Sequence, residues 1–109
     1  MLSIPETHVQ HAFDVLKSPD HATARAAYEF ADKQLKVILA KSAMNSNAKT
    51  VAERDASALM SDEYERALND FRKVAELYYR ARDRREAAVA IIDAWRTQSA
   101  DQRLLARIG

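Results

Sequence analysis

YERALNDFRKVAELYYRARDRREAAVAIIDAW, residues 64–95, is the stretch whose reading decides the fold. Tyr64, Phe71, Tyr78, Arg85 and Ile92 recur every seven residues, and Ala67, Val74, Ala81, Ala88 and Trp95 recur seven apart between them. Leu68, Leu77, Val89 and Ile91 flank this seam. Such spacing defines one apolar edge of a long, coiled-coil-like helix, about 50 Å over five heptads at 1.5 Å per residue. The seam is expected to rest on Tyr64, Phe71, Tyr78, Ile92 and Trp95, with Arg82 and Arg85 interrupting its middle.

Outward from there, punctuation is scarce. Between Asp20 and Ile108 there is no glycine, proline or cysteine; Pro5 and Pro19 lie near the start, and the single glycine is Gly109. Alanine, arginine, lysine, glutamate, glutamine and leucine fill the interval, and all favour helix. An all-α chain follows. Phosphate-binding loops, nucleophile elbows and dinucleotide turns all need glycine, so most catalytic templates are excluded.

The expected organisation is one helical domain over 1–109. Pro5, Glu6 and Thr7 open a short helix over 1–18, with Ser3 as a cap and Val9, Ala12, Phe13 and Leu16 on one face. It packs as a lid and ends at Pro19, because the residue before a proline disfavours helix. A second helix spans 20–45, with Ala27, Tyr28, Ala31, Gln34, Leu35 and Ile38 on one stripe and Phe30, Val37 and Met44 widening it. Asn45-Ser46-Asn47 breaks it, asparagine supplying the left-handed residue a helix end often uses. Thr50-Val51-Ala52-Glu53 reads as a capping box that opens a long helix over 50–98. Ser61-Asp62-Glu63 is either a second cap or the middle of that helix, and continuity is the preferred reading. Ser99-Ala100-Asp101-Gln102 reads as another capping box for a short helix over 99–108.

The predicted architecture is a long antiparallel hairpin, 20–45 against 50–98, with a short helix at each end. Much of the 48% apolar content is alanine, so a single copy buries a thin core. Oligomerisation through the heptad face, most simply a dimer, is the expected remedy.

Net charge is only +1, but it is divided unevenly. Residues 1–71 carry 8 Lys/Arg against 11 Asp/Glu; residues 72–109 carry 9 against 5. The positive surface concentrates on Lys73, Arg80, Arg82, Arg84, Arg85 and Arg96. Arginines beside Tyr78 and Tyr79 suit phosphate contact and base stacking. The same residues serve equally as a protein-docking face, or as a solvated face paired with Glu76, Asp83 and Glu86. Arg82 and Arg85 either reach outward from the seam, meet Glu29 or Asp32 of the second helix, or mark a partner's site.

His8 and His11 at i, i+3, with Glu6 or Asp14, are too few to define a metal centre, and no cofactor is expected. Carboxylate pairs such as Asp62/Glu63 lack any surrounding signature for acid–base work, so the chain is not expected to be an enzyme. No apolar run of 18 residues is present, and the first twenty residues lack a basic start and apolar core; neither membrane nor export is expected. The expected location is cytoplasmic.

The segments from Ala52 to Tyr64 and from Asp93 to Ala100 resemble those of small all-helical proteins encoded by tailed bacteriophages. Lys41, Lys49-Thr50-Val51, Ser61-Asp62-Glu63-Tyr64 and Trp95-Arg96-Thr97 stand where that family has a lysine-rich helix, a Lys-Thr-Val linker, a Ser-Asp-Glu-Tyr segment and a late Trp-Arg-Ser/Thr. The resemblance covers residues 27–103. Members tend to be encoded near recombination and replication genes, which implies an accessory role in DNA metabolism and a place in the host cytoplasm. It brings no catalytic residue. The expected function is therefore a non-enzymatic phage binding protein that contacts DNA or a recombination protein through the arginine-rich helix. The alternatives are an inhibitor docking on a host nuclease or defence complex, with acidic residues 53–70 mimicking nucleic acid, or a structural coiled-coil adaptor.

Overall fold

The computed structural model describes residues 3–108, and all regular structure among them is helical: α1 (Glu6–Lys17), α2 (Asp20–Met44), α3 (Val51–Leu59) and α4 (Asp62–Ile108). The described residues fall into two compact units. One takes the chain through His21 together with the stretch from Arg80 onward; the other is Ala22–Tyr79.

Within Ala22–Tyr79, α2 lies antiparallel to the first part of α4. The Tyr28 ring stacks on Tyr78 at 4.8 Å, and the Ser42 and Ser61 hydroxyls are 3.5 Å apart at the opposite end. In the other unit α1 lies antiparallel to the later part of α4. Ala12, Ala88 and Ile92 are buried together, with Phe13, Val15, Leu16 and Ile91 against them, and the Ile4 amide donates to Gln98 Oε1 at 3.2 Å.

The expected antiparallel hairpin of 20–45 with 50–98 is present, and α2 meets the first part of α4. A 25-residue helix spans about 37 Å and cannot cover a 47-residue helix of about 70 Å. The seam beyond Tyr79 takes α1 as its partner instead. The heptad itself is kept: Tyr64, Ala67, Phe71, Val74 and Tyr78 are half-buried, and Ala81, Ala88 and Ile92 are buried. Those positions face helices of their own chain, so the seam first expected to join copies is already occupied.

Helix ends explain the remaining differences. α1 starts after Pro5, whose carbonyl accepts from the His8 and Val9 amides, without a side-chain cap. Ser18 is extended before Pro19, and its hydroxyl accepts from the Asp20 amide at 3.2 Å as α2 opens. α2 stops at Met44 with no left-handed residue; Ser46 Oγ accepts from the Ala48 amide at 3.2 Å and holds the turn. Thr50 caps α3 as its sequence indicates, accepting from the Glu53 amide at 3.1 Å.

Continuity through residue 60 gives way at Ser61. Its Oγ accepts from the Tyr64 amide at 3.2 Å and donates to the Ala58 carbonyl at 2.7 Å, closing α3 and opening α4. Ser61→Ala removes both roles and is expected to lower stability by about 1 kcal/mol in urea unfolding followed by circular dichroism. At the far end no break occurs at Ser99. Thr97 Oγ1 donates to the Asp93 carbonyl at 3.0 Å and Arg103 Nε to the Ser99 carbonyl at 3.3 Å, and α4 continues to Ile108. With no residue to stop the preceding turns, the Ser-x-x-Gln pattern lies inside the helix.

Buried side chains are few and small: Val9, Ala12, Ala58, Ala81, Ala88 and Ile92 among the described residues. The thin core read from composition is present.

Candidate nucleic-acid or partner interface

Lys73, Arg80, Arg82, Arg84, Arg85 and Arg96 are all exposed. Lys73 belongs to Ala22–Tyr79, whereas the five arginines belong to the other unit. Among the described residues Arg82 alone of these six has an acidic partner within 4.0 Å, its guanidinium lying 3.7 Å from Asp83 Oδ1 and 3.8 Å from Glu86 Oε1. Both contacts are solvent-exposed and contribute little stability. Glu29 and Asp32, first considered as mates for Arg82 and Arg85, pair within α2 with Arg25 at 3.1 Å and Lys36 at 3.7 Å.

Arg85 stands at a seam position by count yet remains exposed. Its surroundings supply the reason. With Arg84 it lines a cleft of about 200 Å³ whose other walls include His11, Ser18, Asp20 and His21, at the corner where α1 ends and α2 begins. Val15 and Ala81 are the apolar members of that lining, and the rest of it is polar, so the Arg85 side chain can reach outward to water. The cleft gathers two arginines and two histidines beside one carboxylate. Such a donor-rich hollow suits an oxyanion better than a cation. His11 and His21 were not among the residues expected here; ten positions and a proline corner separate them in the chain. His8 and His11, read as weak metal ligands, are exposed, and no three His, Asp or Glu side chains are placed to hold a metal ion among the described residues.

Trp95 was read as a core plug. Its ring meets Phe13 edge-on at 6.1 Å and 86°, yet it keeps 38% of its surface in solvent. Beside it, Arg96 and Arg103 border a shallow hollow along α4. The indole therefore shares that hollow with two arginines and remains partly open to water.

Tyr78 and Tyr79 are less free for that purpose than their sequence position implies. Tyr28, Phe71, Tyr78 and Tyr79 form one aromatic cluster, with Tyr28 to Phe71 at 5.4 Å and Tyr28 to Tyr79 at 5.9 Å. A hydrogen bond with the Tyr79 side chain, followed by charge repulsion from an ionised Tyr79, holds the Tyr28 phenol above the usual tyrosine range. The neutral phenol is the favoured form, so this contribution to stability is complete below the unfolded-chain value near pH 10 and is lost as pH rises through the higher folded value. Tyr79→Phe is expected to bring the Tyr28 ionisation back down, read as a shift of the ultraviolet phenolate titration.

No helix among the described residues is long and apolar enough to cross a membrane. Comparison with family models, with curated proteins and with solved structures finds no match for this chain.

Proposed function

We propose that this chain is a non-enzymatic nucleic-acid-binding accessory protein, of the kind tailed bacteriophages use in recombination and replication, working in the cytoplasm of a host. One observation carries the reading: Arg80, Arg84 and Arg85 are exposed within two turns of one helix, with no acidic partner within 4.0 Å among the described residues. Unpaired guanidinium groups so closely spaced favour the phosphate backbone. The cleft at Arg84 and Arg85 and the half-open Trp95 beside Arg96 supply phosphate and base contacts of complementary kinds. The resemblance at Ser61–Tyr64 and Trp95–Thr97 supports the phage assignment. A recombination protein with an acidic surface would engage the same arginines. The binding form is an oligomer, most simply a dimer.

A second reading, docking on a host nuclease or defence protein, is favoured by one feature. Glu53, Asp55, Asp62, Glu63, Glu65 and Asp70 are all exposed, so this part of the chain offers a carboxylate-rich surface.

The deciding experiment is fluorescence anisotropy with labelled single- and double-stranded DNA at low and moderate salt. The wild type is compared with a variant carrying Arg80→Glu, Arg84→Glu and Arg85→Glu. Salt-sensitive binding that the triple change removes supports the first reading. Absence of binding at low salt eliminates direct DNA contact and turns attention to the acidic surface.

A further inference from the structure

The cleft at the corner between α1 and α2 draws on three segments of one unit. His11 comes from α1, Ser18 from its C-terminal cap, Asp20 and His21 from the start of α2, and Arg84 and Arg85 from α4. At about 200 Å³ it is smaller than the roughly 300–1,000 Å³ of sites that enclose a drug-sized ligand, so it is scaled to a head group. Its polar members are mainly donors. Each guanidinium offers a fork of N–H groups, and neither has an acidic partner within 4.0 Å among the described residues. The Ser18 hydroxyl accepts from the Asp20 amide at 3.2 Å, which leaves its own proton to give.

Charge then selects the ligand. The charged groups that line the hollow beside the imidazoles are Asp20 on α2 and Arg84 and Arg85 on α4, while α1 adds none besides His11. Two guanidinium groups against one carboxylate leave a single positive charge when both imidazoles are neutral. An internal phosphodiester of a nucleic acid carries one negative charge and two free oxygens. A phosphate monoester carries about −1.5 to −2 near pH 7 and presents three acceptor oxygens together. Donors arriving from three segments around one hollow match the monoester. The arginines alone do not balance its dianion once Asp20 is counted. Histidine supplies the remainder, because it ordinarily changes charge between about pH 5 and about pH 8.

We infer that this cleft binds a phosphate monoester dianion and that His11 or His21 takes up a proton from solvent as the anion enters. Under the nucleic-acid reading above, on which this step rests, the ligand is the terminal phosphate of a strand; a free phosphorylated small molecule shares the chemistry. Arg80 lies outside the cleft, so it meets internal phosphates while Arg84 and Arg85 hold the end. A bound dianion favours the charged imidazole. Binding is therefore strongest where histidine is already protonated and weakens as pH rises through the histidine range.

The first arm of the test is proton NMR of the full chain with sodium sulfate, a dianion at every pH used, against sodium chloride at equal ionic strength. Sulfate is expected to move the imidazole signals of His11 and His21 and to leave those of His8, the one other histidine. Its affinity is expected to rise at least about threefold from about pH 7.5 to about pH 5.5. Arg84→Gln is expected to weaken it at least about tenfold, and Asp20→Asn to strengthen it, a gain that misfolding does not imitate. The second arm is fluorescence anisotropy of a short single strand bearing a 5′-phosphate, a 3′-phosphate or neither. A terminal phosphate is expected to tighten binding at least about fivefold, and Arg80→Gln to weaken all three strands without removing that preference. Sulfate that leaves His11 and His21 unmoved, binds equally at both pH values or binds less well after Asp20→Asn overturns the inference. Strands bound alike with and without a terminal phosphate also overturn it, while DNA contact by the arginines stands. Sulfate held in the cleft with no strand bound at low salt overturns the nucleic-acid reading instead, and assigns the cleft to a free phosphate monoester.

Discussion

Ile92→Ala is expected to destabilise the protein by about 2–4 kcal/mol, lowering the thermal midpoint by roughly 10–20 °C. Ile92 is the largest buried side chain among the described residues, and it is 3% exposed against Ala12 and Ala88. Two alanines cannot move inward to fill the space, so the cavity term adds to the lost transfer free energy. A chain of this length has about 5–15 kcal/mol of stability in all, which makes the loss a large fraction of the whole. The lone tryptophan gives this prediction a local readout. Trp95 touches Phe13 of α1, so its fluorescence reports whether α1 remains docked, while circular dichroism reports helix content as a whole. In Ile92→Ala the tryptophan transition is expected at lower urea than in the wild type. Leu105→Ala, at a site 63% exposed, is expected to change stability by less than about 0.5 kcal/mol.

Reversing Arg80, Arg84 and Arg85 is expected to have the largest effect on binding. If each guanidinium contacts one phosphate of a duplex, removing three contacts makes the slope of log affinity against log salt shallower by about 2.7, and by about 2.1 on a single strand. Reversal also places three carboxylates where cations stood, so low-salt affinity falls further than neutralisation alone would bring it. Arg82 supplies an internal control. Asp83 and Glu86 already lie within 4 Å of its guanidinium, so Arg82→Gln is expected to alter the slope less than Arg84→Gln does. Equal effects from the two would mean that the intrahelical contacts of Arg82 yield to the nucleic acid.

Much of this architecture was legible before any coordinates. Apolar residues every seven positions marked Tyr64, Phe71, Tyr78 and Ile92, and these are among the half-buried or buried residues of α4, whereas Trp95, counted in the same seam, is exposed. Thr50 was readable as a cap because its hydroxyl is followed three residues later by Glu53. The misses have physical causes. Ser61 sits among good helix formers, and only its paired bonds to Tyr64 and Ala58 decide for a break. Ser99 has the right spacing for a cap, but nothing before it ends the helix. The change of partner at Arg80 follows from comparing helix lengths, which a residue-by-residue reading does not do. At the candidate site, the arginines could be named from the sequence but their exposure could not. Arg85 is a seam residue by count, and it is open beside a largely polar corner formed by the end of α1 and the start of α2. Of the histidines at that corner, His11 was weighed only as a metal ligand and His21 had no sequence signal.

The register of the helix pairs orders events in time. Ser42 and Ser61 are 19 residues apart, whereas Ile4 and Gln98 are separated by 94. Closing the longer loop directly from an open chain costs about 1.4 kcal/mol more than closing the shorter one. Pairing that begins beside Ser42 and Ser61 draws Tyr28 towards Tyr78, shortening the loop that α1 must still close. Loop closure therefore favours pairing that starts at the α2–α3–α4 end, with α1 engaging later.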